Sequence, residues 1–414
     1  GNTSPVPMTD ARREAPAPRI MPAYRTTLAL SLLAAVNAFA IDVSTPVLPA
    51  AASVFGVDVG HMQMTVGLYM FGYGFGQIPA GLMADVFGRR ITVLIAMLVY
   101  ILAGIVATLS PDIDLLLAMR FVQGLCGAAG VVISRAMARD ITTGAGTGRL
   151  LGLMTATLGV VMIVGPLLGA MLLAGFGWWA PFLSSAVFAA AALWLLLTSV
   201  GETMASRPED NMRGRFIDGI TAFRNSPHSR ISALLMGLAF CILIAFVTLS
   251  SEVYIRHFAM DETGYAVIFA IASVGYILGG LACRRLVTRM STLGLVRVIV
   301  AGFGAVGVAS LFLLPVSDAH PAALTITMIG AFCGIGAMLS AAATLALEGL
   351  PRNAGMASGI MGSFQILLGA VFSLVLALVD ANSLFLLHFS VAGCAGLMGV
   401  TILATRRLAP LDYR

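Results

Sequence analysis

Lysine is absent from this 414-residue chain: all 24 basic side chains are arginines. A phosphate-cradling loop of the Gly-x-x-x-x-Gly-Lys-Ser/Thr type is therefore excluded, because nothing supplies its ammonium group. No His-Glu-x-x-His run occurs either, which removes the commonest helix-borne zinc-hydrolase signature. Cysteine is sparse. Cys126, Cys241, Cys283, Cys333 and Cys394 lie in or beside apolar runs and never as Cys-x-x-Cys. Neither a disulfide framework nor a thiolate metal site is expected, and no cofactor. Charge is scarce as well. Only 10% of residues are Asp, Glu, Lys or Arg, against about a quarter in an average soluble domain, too few to cover a globular surface with polar groups.

What fills the chain instead is apolar sequence, 59% by residue, with a mean hydropathy of +0.97. Runs of roughly 20 apolar residues recur along nearly the whole length. In a bilayer such runs must be helices, because every backbone N–H and C=O has to be satisfied within the segment. Twelve are expected, over approximately 26–54, 61–86, 90–109, 113–139, 147–174, 177–199, 229–256, 262–287, 292–314, 320–349, 352–379 and 382–405. They form two sets of six, residues 26–200 and 229–406, joined by a polar cytoplasmic linker, 201–228. Residues 1–25, rich in proline and polar side chains, read as a disordered cytoplasmic arm, and 407–414 as a cytoplasmic tail. The first apolar run is long enough to span, so a cleavable signal peptide is not expected. The fold class is an all-α membrane protein.

The net charge of +5 reads as a topological signal rather than a nucleic-acid footprint. If the N-terminus is inside, Arg89, Arg90, Arg139, Arg149, the linker, Arg284, Arg285, Arg289, Arg352, Arg406 and Arg407 all face one side. The opposite loops, 110–114, 175–179, 317–321 and 380–382, carry no arginine. Basic residues concentrate in cytoplasmic loops, so both termini are expected in the cytoplasm. The lipid bilayer is the expected partner and nucleic acid is not.

Four motifs carry the remaining chemistry. Between the second and third segments stands "GLMADVFGRR", with the pattern Gly81-x-x-x-Asp85-x-x-Gly88-Arg89-Arg90. Gly81 and Gly88 permit close approach and a tight turn. Asp85 suits the positive end of a neighbouring helix, the eleventh, and Arg89 suits Asp140 at the end of the fourth segment. The fourth segment holds Arg120-x-x-Gln123-Gly124, the fifth holds Gly159, Gly165, Pro166 and Gly169 in "GVVMIVGPLLG", and the first ends in "IDVSTPVLPA". In these segments and this order, the motifs resemble those of the major facilitator superfamily, and within it the proton-coupled drug-resistance exporters of the Bcr/CflA type. The resemblance covers essentially the whole chain. The sequence departs from it at Ser44, where an aromatic is usual, at "CRRLVTR", a second loop copy without its acid, and at Glu252.

The resemblance implies a major facilitator fold of 12 transmembrane helices in two six-helix bundles. It implies a monomer in the bacterial inner membrane that is not an enzyme. The implied activity is export of small, largely apolar drugs or toxic metabolites in exchange for protons, by alternating access; the alternative is export of an endogenous metabolite or siderophore. The loop residues Gly81, Asp85, Gly88, Arg89, Arg90 and Asp140 would latch the bundles on the inside and hold an outward-open state. The small residues of the fifth segment would pack against the eighth at a rocking interface.

A charge within a span costs several kcal/mol unless paired or hydrated, and marks a functional site by default. Asp42 and Arg120 each lie roughly 10–12 Å below the outer surface by residue count, on helices that neighbour each other in the resembled fold. Asp42 is expected to exchange the proton, with Arg120 as its counter-ion and Glu252 as the next candidate. Glu252 and Arg256, spaced i,i+4, can instead pair with each other. Asn37, Asp42, Tyr69, Arg120, Gln123, Tyr254 and Gln365 are expected to bind substrate, with Tyr73 and Gln77 as further polar groups in the spans. His388 reads as a packed histidine. "GFGAVG", residues 302–307, matches a dinucleotide fingerprint but lies inside an apolar segment with no strand before it, so it reads as helix packing.

Overall fold

A computed structural model of the chain describes residues 23–142, 145–204, 212–286, 289–348, 354–379 and 382–405. The arm up to residue 22, the tail 407–414 and the topological arginines Arg352, Arg406 and Arg407 lie outside them. Among the described residues every regular element is helical.

The first span is α1 (Tyr24–Asp42), continued by a 3-10 turn (Thr45–Val47) and α2 (Leu48–Phe55). There follow α3 (Val59–Phe87), α4 (Arg89–Thr108), α5 (Ile113–Ile141), α6 (Ala145–Phe176) and α7 (Ala180–Ser199). The second half holds α9 (Pro227–Ser251), α10 (Glu262–Leu286), α11 (Thr292–Ser317), α12 (Pro321–Glu348), α13 (Ala354–Leu378) and α14 (Ser383–Ala404). Within the expected linker lies one more helix, α8 (Met212–Asn225). Ser226 ends it and caps α9 by accepting from the Ser229 N–H at 3.3 Å, and Pro227 takes the first helical position, where a missing N–H costs nothing.

Among the described residues, eleven spans are long and apolar enough to cross a membrane. The remaining one, α3, has 29 residues, ample length, but it is diluted by glycine, glutamine and tyrosine. Its neighbours explain the composition. It is packed between α5 of its own half and α13 of the other, and glycine lets backbones approach where a bulky apolar side chain would hold them apart.

The helices form two bundles. In the first, α1 packs on α5, α6 and α7, α4 on α5 and α7, and α3 on α5. In the second, α9 packs on α12, α13 and α14, α10 on α12, and α11 on α12 and α14. Two seams join the bundles, α3 against α13 and α6 against α10. The same two positions of each six-helix repeat make both seams, which gives the molecule an internal pseudo-twofold arrangement.

The turn from α3 into α4 is a single residue, Gly88, at φ +104°, a conformation that a side chain resists. The first N–H groups of α4 are met by the Glu202 carboxylate, which accepts from Arg89 at 3.2 Å and Arg90 at 3.1 Å. Partial burial alone would raise this carboxyl. Hydrogen bonds from the backbone of Arg90, Met204, Arg89 and Thr203 outweigh it and hold the group below the usual carboxylate range.

Candidate functional site

A cavity of about 460 Å³ lies between the bundles, walled by α1, α3, α5 and α6 on one side and α9, α10, α12 and α13 on the other. Its wall at the arginine-rich end includes the exposed side chains of Arg135, Thr155 and Ser340. At the far end the bundles meet. Antiparallel α3 and α13 run backbone to backbone there: a β-carbon on Gly60 would stand 2.9 Å from the Ala377 carbonyl oxygen. On the second seam Ser273 of α10 donates to the Met162 carbonyl of α6 at 3.3 Å. The cavity is therefore accessible from the arginine-rich side and closed towards the other.

Asp42 sits deep in this cavity, 5% exposed, and its Oδ2 has no hydrogen-bond partner. The sequence after it sets up the position. Pro46 has no N–H to give the Asp42 carbonyl, and the Ser44 N–H bonds Ile41 rather than Ala40, so α1 tightens into a 3-10 turn. Side-chain hydroxyls bond the carbonyls of the preceding turn. Ser44 donates to Ala40 at 3.0 Å and to Ile41 at 2.9 Å, and Thr45 donates to Ile41 at 2.9 Å. Ser44, the departure from the family pattern, thus has a local task. Gly165 of α6 lies against Asp42, where a β-carbon would approach the Asp42 β-carbon to 2.8 Å.

The expected Asp42–Arg120 ion pair is not formed. Arg120 is wholly buried and belongs to a different cluster. It donates to the freed Ala40 carbonyl at 3.3 Å and to Gln123 Oε1 at 3.2 Å, and its guanidinium stands 4.2 Å over the Tyr69 ring and 5.6 Å from that of Phe182. The Tyr69 hydroxyl in turn bonds Asn37 Oδ1 at 2.6 Å. Residues 40 and 42 project about 160° apart around an ideal helix, so matching depth did not bring the two charges to the same face. Of the predicted binding residues, Asn37, Asp42 and Gln365 line the cavity, as do Tyr73 and Gln77. Tyr69, Arg120 and Gln123 are packed behind its wall. Tyr254 lies within the second bundle, its hydroxyl 2.9 Å from Thr325 Oγ1.

Glu252 and Arg256 do not pair with each other. Residues Glu252–His257 form a π-helical turn, whose wider winding takes i and i+4 off a common face. Glu252 instead accepts from Gln63 of α3 at 3.1 Å and from Ser383 of α14 at 2.6 Å. Arg256 donates to the Pro49 carbonyl at 3.4 Å. Both bonds to the first half, Glu252–Gln63 and Arg256–Pro49, cross between the bundles at the closed end.

At the arginine-rich end Asp85 pairs with Arg89, whose Nε lies 3.4 Å from Asp140 Oδ2, and Thr203 donates to the same oxygen at 3.0 Å. Arg90 donates to the Leu197 carbonyl at 2.8 Å. Among the described residues this network stays within the first half and the start of the linker; residues 349–353, which lead into α13, lie outside them. Gly81 needs no close approach: a β-carbon there would meet only Val132, at 3.6 Å. In α6, Gly159 does face α10, with Ile277 at 3.1 Å, whereas Gly165 faces the end of α1 and Gly169 the turn that follows it. Six residues turn the helix by about 240°, so the motif serves two neighbours rather than the eighth span alone. His388 is buried, with Nδ1 2.7 Å from Ser310 Oγ.

Arg135 and Tyr276 were not singled out in the sequence, yet both line the cavity. The legible signal for Arg135 was its place one turn before Arg139, still inside the apolar span.

Comparison with known proteins agrees with this architecture. Residues 30–374 match the sequence model of the Major Facilitator Superfamily. An uncharacterized MFS-type transporter, YdgK of Bacillus subtilis (strain 168), is 27% identical over 349 residues, covering 83% of this chain and 86% of the relative. A bicyclomycin resistance protein homolog of Haemophilus influenzae is 26% identical over 376 residues, 89% of this chain and 92% of the relative. The crystal structure of a D-xylose-proton symporter superposes with a TM-score of 0.74 at 17% identity, covering 94% of this chain and 98% of that one, a likeness of fold.

Proposed function

The chain belongs to the Major Facilitator Superfamily and is a membrane transporter rather than an enzyme, and on that premise we propose that it exports small, largely apolar drugs or toxic metabolites across a bacterial inner membrane in exchange for protons. The observation that carries the coupling is Asp42, a carboxylate without a hydrogen bond to its inner oxygen at the closed end of the inter-bundle cavity. A desolvated, unpaired carboxylate is costly when ionised and acceptable when protonated. For exchange to run as export, Asp42 takes up its proton while the seams are open on the opposite side and gives it up through this cavity, towards the arginine-rich side, when substrate binds there.

The rest of the cavity supports a largely apolar cargo. Methionine, leucine, isoleucine, valine, alanine and phenylalanine make most of its wall, with amides at Asn37, Gln77 and Gln365. Arg120 positions Asp42 through the Ala40 carbonyl rather than by pairing with it. Glu252 is the second candidate for proton coupling, through its bonds across the bundles. The resemblance to a bicyclomycin resistance protein homolog supports a drug among the substrates. Both termini are placed in the cytoplasm, with the chain acting as a monomer.

The test is transport by purified protein in proteoliposomes with an imposed pH gradient, using a drug panel that includes bicyclomycin. Uphill drug movement with counterflow of protons is expected, and Asp42→Asn is expected to abolish both. Gradient-driven transport that survives in Asp42→Asn would move the coupling role away from this residue.

A further inference from the structure

We propose that Arg135 is an anion-selecting group at the cavity mouth, and that the transporter favours amphipathic compounds with a single negative charge at one end of an apolar body. This rests on the transport reading above and narrows its substrate class.

The argument starts from what the arginines do. Arg89 is held by Asp85 and Asp140, Arg90 by a carbonyl, Arg120 by a carbonyl, an amide and an aromatic face, and Arg256 by a carbonyl. Arg135 lines the cavity, and among the described residues its guanidinium has neither a hydrogen bond nor an ion pair. Tyr73 on α3 and Tyr276 on α10 line the same cavity. A cation with unused donors thus shares the cavity wall with aromatic groups from both bundles.

The only acid on the described wall is Asp42, at the other end. The register of α1 and α5 sets the separation. The Leu33 carbonyl abuts Gly130; Arg135 lies five residues past Gly130 and its side chain leans back towards it, while Asp42 lies nine residues past Leu33. At 1.5 Å per residue the two charged groups are roughly 13–15 Å apart along the axis. Met70, Leu158, Met162, Phe240, Ile244 and Val247 line the space between. A guanidinium forks onto a carboxylate with two parallel hydrogen bonds, so an anionic head at Arg135 leaves an apolar tail along this stretch, pointing at the proton site.

The experiment uses three radiolabelled probes that share one tail: 6-phenylhexanoate, 6-phenylhexan-1-ol and 6-phenylhexylamine. Equilibrium binding to the purified full chain in detergent, without a gradient, separates recognition from coupled transport. Wild type is expected to bind the acid about 10-fold or more tighter than the alcohol, as a charge-assisted hydrogen bond implies, and the amine weakest. Arg135→Gln should bring the acid-to-alcohol ratio close to one, and Arg135→Lys should retain most of the preference. Alcohol binding by the variants reports that they are folded. Equal binding of acid and alcohol by wild type, undiminished selectivity in Arg135→Gln, or no binding of any probe would each overturn the proposal. The export reading stands or falls separately, on uphill movement of the neutral alcohol in proteoliposomes.

Discussion

Asp42 and Arg120 hold separate positions, and the separation has an energetic signature. Asp42→Asn removes a buried charge, keeps the shape and leaves every Arg120 contact in place. Thermal stability in detergent is expected to stay within about 1 kcal/mol of wild type or to rise. Arg120→Met strips donors from the Ala40 carbonyl and Gln123 and removes the cation over Tyr69; a loss of about 2–4 kcal/mol is expected. The double variant should be additive to about 0.5 kcal/mol. A coupling several times larger would show an ion pair in the solution ensemble. The sequence made the depth of both charges legible, because depth is a matter of counting residues. Direction around the helix was not, since it depends on which neighbour each face meets. Asn37 and Gln365 reach the cavity while Tyr69 and Tyr254, also polar groups in apolar segments, point into bundle interiors. Arg135 escaped notice because its context matched that of a topological arginine.

At the scale of elements, the π turn at Glu252–His257 aims Glu252 across to α3. Glu252→Ala deletes bonds to Gln63 and Ser383 that carry an ionised acceptor, worth about 1.5–3 kcal/mol each. The closed end should open more often, and a cysteine placed at the buried Thr65 of α3 should react with a maleimide about 10-fold faster or more. An unchanged rate would mean that the glycine-lined seams alone keep this end shut. The α4 N-terminus gives a pH-dependent counterpart. Glu202 has a folded pKa below its unfolded one, so its stabilisation is full above the usual carboxylate range, about pH 4–5, and is lost as pH falls through the folded value. Glu202→Gln should cost about 0.3–1 kcal/mol near pH 7, reduced by solvent screening, and the gap to wild type should close on acidification in a denaturation series. Helix existence was readable from the apolar runs. The break after Asp42, the π turn and α8 were not, because each depends on local bonding that periodicity does not register.

For the whole molecule, accessibility is the decisive observable. Thr155→Cys and Ser340→Cys, at exposed positions on the cavity wall, should react with an impermeant maleimide in inside-out vesicles and be protected in intact cells. Asp112→Cys, exposed at the opposite end, should show the reverse. Labelling of all three from one side would overturn the assigned orientation. Two bundles and their sequence boundary follow from the polar linker, but which helices form the seams follows only from packing, where Gly60, Gly67 and Gly74 on α3 meet Ala377, Leu374 and Leu367 on α13.

Those glycines also bear on how the protein is made. Insertion into the bilayer favours segments by their own apolar content, and among the described spans α3 is the one too dilute to qualify. The segment after it, α4, is among the most apolar in the chain and begins one residue later, beyond Gly88, with Arg89 and Arg90 at the bend. The two are therefore expected to enter the membrane as a hairpin, α4 supplying the partitioning energy that α3 lacks and the arginine pair keeping the bend from crossing. A helix thinned so that it can slide against another bundle depends on its neighbour for biogenesis, and a polar substitution on the lipid-facing side of α4 would be felt first as a failure of α3 to insert.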